Sequence, residues 1–273
     1  MADVSGPASN LEELADAIRA GSDVVALTGA GMSAPSGVPT FRGQDGIWDR
    51  FDEGQFRYGR FRSDPAGFWR DRVELERAMY GAQIEPNPAH TGLARLGAAG
   101  VLDAIITQNT DGLHERAATQ VADETNATDS GESVGAELLE LHGTALYAAC
   151  PSCGHRIERT EALARVDGGD CPPRCDCGSA YKPDVVLFGE ALPAGSLQRA
   201  QSLASESDVF LAVGSSLQVE PAASLPRLAN ANGATVAVVN LDPTPLDDTA
   251  RFVLHEGVTD VLPQLAALLG ADD

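Results

Sequence analysis

Short apolar runs that stop abruptly at small or polar residues constrain the fold of this chain more than any other feature. Residues 24–27 run into Thr28-Gly29-Ala30-Gly31, and residues 209–213 run into Gly214-Ser215-Ser216. Residues 104–107 stop at Gln108-Asn109-Thr110-Asp111, residues 236–239 at Asn240-Leu241-Asp242, and residues 251–254 form a further run. Apolar residues in unbroken succession, rather than in alternation, mark strands buried on both faces, as in a parallel sheet. Helical spacing lies between them. Leu11, Leu14, Ala15 and Ile18 recur behind a Ser9/Glu12 capping pattern until Gly21, and residues 261–269 read as another helix. The alternation predicts an α/β fold, a Rossmann-like doubly wound parallel sheet whose ligands gather at the carboxyl ends of its strands.

At 273 residues the chain suits one large domain and something smaller. Two stretches break the alternation. Residues 45–88 are rich in arginine and aromatics, among them Trp48, Phe51, Phe56, Tyr58, Phe61, Phe68 and Trp69, and read as a helical insert with a loop-like start. The other stretch holds all five cysteines and little apolar periodicity, so it needs a metal to fold. The expected division is 1–44, 89–142 and 188–273 for the sheet domain, 45–88 for the insert and 143–187 for a small metal-binding domain. Residues 119–135 are acidic, rich in Ser and Thr, and expected to form a mobile surface loop.

Cys150-Pro151-Ser152-Cys153 has the spacing of a zinc knuckle, and a second cysteine cluster follows about twenty residues later. Four thiolates would close a tetrahedral site and leave no position for water, so the zinc would be structural. An odd cysteine count argues against a disulfide framework. No stretch approaches the roughly 20 apolar residues of a membrane span, and the N-terminal residues lack signal-peptide features, so a soluble cytoplasmic protein is expected. Forty acidic against 19 basic residues give a formal charge of −21, and Lys182 is the only lysine. Such a surface repels nucleic acid and anionic membranes, and its self-repulsion predicts adaptation to high salt.

Several motifs carry competing readings. Gly29 and Gly31 after a strand could bring backbone amides to a pyrophosphate, or simply make a tight turn. The continuation through Ser33, Gly37, Pro39, Phe41 and Arg42 is longer than a phosphate turn needs. Asn109 and Asp111 sit just past a strand, where they could meet a ligand or cap the next helix through an Asx turn. His142 is one of five histidines; near a ribose hydroxyl it could act as general base. Residues 185–188 could be a plain buried strand or an edge that pairs with an extended peptide.

The whole run from Gly29 to Arg42 resembles the signature Gly-Ala-Gly-Ile-Ser-x-x-Ser-Gly-Ile-Pro-x-Phe-Arg of the sirtuins, NAD-dependent protein-lysine deacylases. Residues 107–114, Glu140-Leu141-His142-Gly143, residues 182–190, Gly214-Ser215-Ser216 and Asn240-Leu241-Asp242 match further motifs of that family in the same order. The resemblance implies that Gly29, Ala30, Gly31, Ser33, Phe41, Arg42, Gln108, Asn109, Asp111, Gly214, Ser215, Ser216, Asn240, Leu241, Asp242 and Val258 bind NAD. It makes His142 the general base, gives Asn109 a catalytic part at the nicotinamide end, and leaves His114 to the pocket or the structure. Val185, Val186, Phe188 and Gly189 would bind the acylated lysine of a protein substrate. Cys150, Cys153, Cys175 and Cys177 would hold one zinc. The family's second Cys-x-x-Cys-Gly is here Cys175-Asp176-Cys177-Gly178, so Cys171 remains an alternative to Cys175. Thr110 replaces the family's usual isoleucine beside the nicotinamide pocket.

The implied reaction consumes NAD: the acyl oxygen attacks the ribose carbon as nicotinamide leaves, His142 activates a ribose hydroxyl whose oxygen attacks the resulting imidate, and collapse with water releases lysine and O-acyl-ADP-ribose. Deacetylation is the favoured activity. Relatives that remove succinyl or malonyl groups carry Tyr-x-x-Arg in the insert; Trp69 and Arg72 stand at those positions, so an acidic-acyl activity stays open, with Arg72 either a carboxylate clamp or a surface residue. ADP-ribosyl transfer and NAD-dependent dehydrogenation are the less favoured alternatives; the latter wants a ribose-binding acid on a second strand, whereas Asp45 and Asp49 fall in the insert.

Overall fold

The computed structural model describes residues 7–41, 46–81, 83–125 and 135–272. Its strands are β1 (Val24–Thr28), β2 (Ala104–Thr107), β3 (Glu137–Glu140), β4 (Gly143–Ala149), β5 (Arg156–Glu158), β6 (Lys182–Val185), β7 (Val209–Val213), β8 (Thr235–Val239) and β9 (Phe252–Leu254). Its helices are α1 (Pro7–Ala20), α2 (Ala30–Ser33), α3 (Ile47–Arg50), α4 (Tyr58–Ser63), α5 (Pro65–Tyr80), α6 (Pro88–Ala98), α7 (Leu113–Glu124), α8 (Arg159–Asp167), α9 (Ala194–Glu206), α10 (Leu225–Ala231) and α11 (Val258–Leu268).

Six strands form one all-parallel sheet in the order β3-β2-β1-β7-β8-β9. The chain winds outward from β1 to β3, then returns to the other side of β1 with β7. The order therefore reverses between β1 and β7, and such a switch point opens a crevice at the strand ends. Every residue of β1 and β7 is buried because both faces are covered. Val24, Ala26, Leu211 and Val213 pack with Leu14, Leu93 and Leu262 of α1, α6 and α11. Val25, Leu27, Phe210 and Ala212 pack on the opposite face with Leu203 and Ala229 of α9 and α10.

The second sheet is antiparallel, in the order β5-β4-β6. It shares a single core with the helical insert: Phe56, Phe68 and Trp69 pack with Ala145, Ile157 and Tyr181. The Trp69 indole donates to the Tyr181 carbonyl at 2.8 Å. Two stretches separated by the β2 region of the chain thus build one lobe.

Several boundaries differ from expectation. α1 begins at Pro7, ahead of Ser9, because proline is tolerated in a first helical turn. α7 runs on to Glu124, so residues 119–124 are helical rather than loop, and residues 126–134 lie outside the described residues. The edge strand β3 carries no apolar run, since Glu137 and Glu140 flank its leucines and none of its residues is fully buried. α8 sits inside the cysteine-rich stretch and buries only Ala162, which is why no periodicity marks it. β6 ends at Val185 rather than running to Phe188, and Phe188 instead makes a parallel bridge with Arg57.

Candidate active site and metal centre

All the polar motifs fall at one edge of the parallel sheet, where β1, β2, β3, β7 and β8 end. The β1 and β7 turns interlock at the switch point. A Cβ on Gly29 would lie 2.9 Å from the Gly214 oxygen, and one on Gly31 would lie 2.9 Å from the Gly214 Cα. Gly214 itself adopts φ 57°, where a side chain is strained. The amide of Gly31 donates to the Gly214 carbonyl at 2.8 Å and that of Gly29 to the Val213 carbonyl at 3.1 Å. Of the two readings open for this turn, these contacts fit the tight turn: the glycines are required by the close approach of two turns, and both amides are engaged inside the protein.

Asn109 is buried and donates from Nδ2 to the Gly29 carbonyl at 2.9 Å and to Ser33 Oγ at 3.0 Å. Asp111 is buried as well, and its Oδ1 accepts from the Leu113 amide at 3.0 Å. Burial raises its carboxyl above the usual range, while hydrogen bonds from Leu113 and Ser33 partly oppose the rise. Gln108 bridges the turns by donating to Ser215 Oγ at 2.9 Å. Phe41 stacks on Trp48 with ring centroids 5.8 Å apart. Arg42 lies outside the described residues. Ser216, Leu241 and Asp242 are exposed beyond β7 and β8, and Asn240 donates to the Asp242 carbonyl at 2.7 Å. Val258 heads α11 with its side chain in the core.

His142 follows β3, and its Nδ1 lies 2.9 Å from the Gln108 carbonyl. A carbonyl only accepts, so in the neutral ring Nδ1 carries the proton and Nε2 keeps its lone pair free to take one. Burial lowers the His142 pKa, with the Gln108 hydrogen bond acting in the opposite direction. The His142 carbonyl in turn accepts from the Val186 amide at 2.8 Å, which ties the base to the segment after β6. His114 serves the structure: its Nε2 pairs with Thr28 Oγ1 at 2.9 Å, and its ring packs on His90 with centroids 5.0 Å apart.

A cleft of about 480 Å³ separates the two lobes. Gln108, Thr110 and His142 line its sheet side, Val185, Val186, Phe188 and Gly189 one rim, and Phe41 and Trp48 another part of the wall. The structure thus brings the base and the expected peptide-binding segment to one opening. Asn87 is a buried residue that sequence reasoning missed; it caps α6 and donates to the Met32 carbonyl at 2.9 Å and Ser36 Oγ at 3.0 Å, steadying the loop after β1. The signal was present, since an Asn followed by Pro88 is a helix-start pattern.

In the second lobe the Sγ atoms of Cys150, Cys153, Cys175 and Cys177 all lie within 4.8 Å of one another. The Cys150–Cys177 and Cys153–Cys175 separations are 3.4 and 3.6 Å. A tetrahedron with Zn–S bonds of about 2.3 Å has edges near this length, whereas a disulfide would need about 2.05 Å. The four thiols therefore fit a structural zinc. Cys171 stands apart, donating to the Ala66 carbonyl at 3.3 Å. The two knuckles use the same device: Gly154 and Gly178 take φ of 75° and 91°, and their amides return to the Cys150 and Cys175 carbonyls. The second is simply one residue shorter between its cysteines.

The fold and cleft define a class, α/β enzymes that hold a dinucleotide at the switch point of a parallel sheet and a second reactant beneath a small zinc-stapled lobe. The Sir2 family pattern matches residues 29–221, and the chain belongs to that family. It is 47% identical to an NAD-dependent protein deacetylase of Haloarcula marismortui over 98% of this chain and 96% of the relative. It is 37% identical to one from Saccharolobus solfataricus over 93% of this chain and 95% of that protein. Among solved structures, a Sir2–p53 peptide–NAD+ complex superposes with a TM-score of 0.80 at 33% identity, covering 95% of this chain and 98% of that one. A Sir2 variant with deacetylated p53 peptide and 3'-O-acetyl ADP ribose superposes at 0.82 and 32% identity, covering 96% and 98%.

Proposed function

We infer that this protein is an NAD-dependent protein-lysine deacetylase that converts acetyl-lysine, NAD and water to lysine, nicotinamide and O-acetyl-ADP-ribose. The observation that carries the inference is His142, its Nδ1 fixed on the Gln108 carbonyl and its Nε2 free, at the wall of a cleft whose rim is residues 185–189. NAD supplies the electrophilic ribose carbon and is consumed. Nε2 of His142 takes the proton of a ribose hydroxyl. Asn109 has both Nδ2 hydrogens directed to Gly29 and Ser33, which leaves its Oδ1 for a carboxamide donor. Asp111 holds the nicotinamide end and Gln108 supports the ribose, with Ser33 and Phe41 shaping the loop over the nicotinamide; Arg42 belongs to the same NAD site by the family motif. Gly29, Ala30, Gly31, Gly214, Ser215 and Ser216 shape the phosphate site. Asn240, Leu241, Asp242 and the backbone at Val258 receive the adenosine half.

On the substrate side the acyl-lysine enters the cleft between Val186, Phe188 and Gly189, and the peptide adds a strand beside residue 185. Cys150, Cys153, Cys175 and Cys177 hold zinc as a staple of the second lobe, with no part in activating water. The charge of −21 and the Haloarcula relative support a salt-adapted protein that works in the cytoplasm.

The test is mass spectrometry of products formed from NAD and an acetyl-lysine peptide in concentrated KCl. Equimolar nicotinamide, free lysine peptide and O-acetyl-ADP-ribose are expected. Formation of NADH, or ADP-ribose attached to protein, overturns the assignment.

A further inference from the structure

One wall of the cleft carries a charge pair that deacetylation itself does not use. α5 contributes Leu75, Met79 and Tyr80 to that wall together with Arg72 and Glu76, one helical turn apart. Arg72 is neither a surface residue nor a free clamp. It is 8% exposed, and its Nε and Nη2 both reach Glu76 Oε1, at 2.8 and 2.5 Å. Glu76 is buried in turn, and its Oε2 makes no hydrogen bond; the Arg159 guanidinium stands 3.7 Å from it. The aromatic side chain that would complete a carboxylate clamp is turned away, because the Trp69 indole is held by the Tyr181 carbonyl.

A guanidinium in the wall of a mostly apolar cleft is a ready receptor for a carboxylate, which it grips through parallel N–H groups. In this protein the fork is filled from within. An entering carboxylate would have to displace Glu76 and leave it buried with only the more distant Arg159 guanidinium, 3.7 Å away, and a buried charge stripped of its hydrogen bonds is costly. A short neutral acyl group has no need to displace the pair. We propose that Glu76 is a specificity-determining residue: by occupying Arg72 it makes the cleft accept neutral acyl groups and reject those that end in a carboxylate. The proposal rests on the deacylase reading and adds to it the class of acyl-lysine taken.

The experiment compares kcat/KM for acetyl, hexanoyl and succinyl forms of one lysine peptide, in the wild type and in Glu76→Gln. The wild type should process the succinyl peptide at least about tenfold less efficiently than the acetyl peptide. Glu76→Gln keeps the shape and frees the guanidinium, so it should raise the succinyl-to-acetyl ratio about tenfold or more. A ratio that does not move, or a wild type that prefers succinyl, overturns the proposal while leaving the deacylase reading intact. No turnover of any acyl peptide by the wild type overturns both. If melting curves show that Glu76→Gln does not fold, the double substitution Arg72→Met, Glu76→Met decides, since an apolar pair of similar volume is commonly tolerated. It should raise the hexanoyl-to-acetyl ratio several-fold with succinyl still rejected. An unchanged acyl profile in that variant overturns the proposal.

Discussion

His142 gains its chemistry from one hydrogen bond and from its depth. The Gln108 carbonyl fixes the proton on Nδ1, and burial disfavours the imidazolium. A base must be neutral to act, and a lowered pKa keeps it neutral further into acid. The acid limb of kcat/KM is therefore expected below pH about 6.5, the ordinary imidazole value. His142→Ala should lower kcat by about 10²–10⁴ while NAD binding survives, as calorimetry would show. Glu140, two residues away, is the control: burial, with Glu115 and Asp111 nearby, lifts its carboxyl to about 7. A limb near 7 that vanishes in Glu140→Gln would assign the titration to Glu140 and sink the expectation for His142. Residues of this kind were legible in part. The sequence posed a ligand role against an Asx turn for Asp111, and the structure shows the turn, Oδ1 accepting from Leu113, inside the very cluster that holds Ser33 and Asn109. Arg72 was not legible, because its pairing with Glu76 depends on burial and on which way Trp69 turns.

At the scale of elements, the segment after β6 is braced rather than merely extended. Lys182, the only lysine, donates to the Val185 carbonyl at 2.6 Å and to Glu190 Oε2 at 3.0 Å, and the same oxygen accepts from the Leu187 amide at 3.0 Å. This clamp sets the curve of the cleft rim between Val185 and Glu190. Lys182→Met should raise the KM for peptide several-fold and leave the KM for NAD nearly unchanged, since only the rim is loosened. Equal changes in both constants would show a general defect instead. The zinc staple makes a second prediction. Both tryptophans of the chain, Trp48 and Trp69, lie in the second lobe, whose core also includes Cys150 and Cys175. Chelation should shift their fluorescence to the red and abolish turnover while most far-ultraviolet helical signal persists, because the parallel sheet has its own two cores. Simultaneous loss of both signals would mean that the lobes do not unfold separately. Apolar runs announced β1, β2, β7 and β8; β3 and α8 escaped because an edge strand and a surface helix bury too little to leave a pattern.

For the whole molecule, the doubly wound sheet was legible because its central strands are buried on both faces and so must be written in apolar residues. The union of insert and zinc-binding stretch into one lobe was not, since nothing in local periodicity says that Phe68 meets Ile157. Net charge acts on the entire surface at once. With 40 acidic and 19 basic residues, carboxylates repel one another across distances that contact pairs such as Arg199–Glu137 do not compensate. The reach of that repulsion is about 10 Å at 0.1 M salt and about 3 Å at 1 M. The melting temperature should therefore rise steeply as KCl increases from about 0.1 to 1 M, where screening changes most. Lowering the pH toward 5 in dilute salt should recover part of the loss, because a protonated carboxyl no longer repels. Excluded salts such as sulfate stabilise by a different route, so a gain in sulfate without a gain in KCl would trace the effect to burial rather than charge. A melting temperature that stays level across the KCl series would show that the acidic surface is not under strain and that the salt adaptation inferred from composition is wrong.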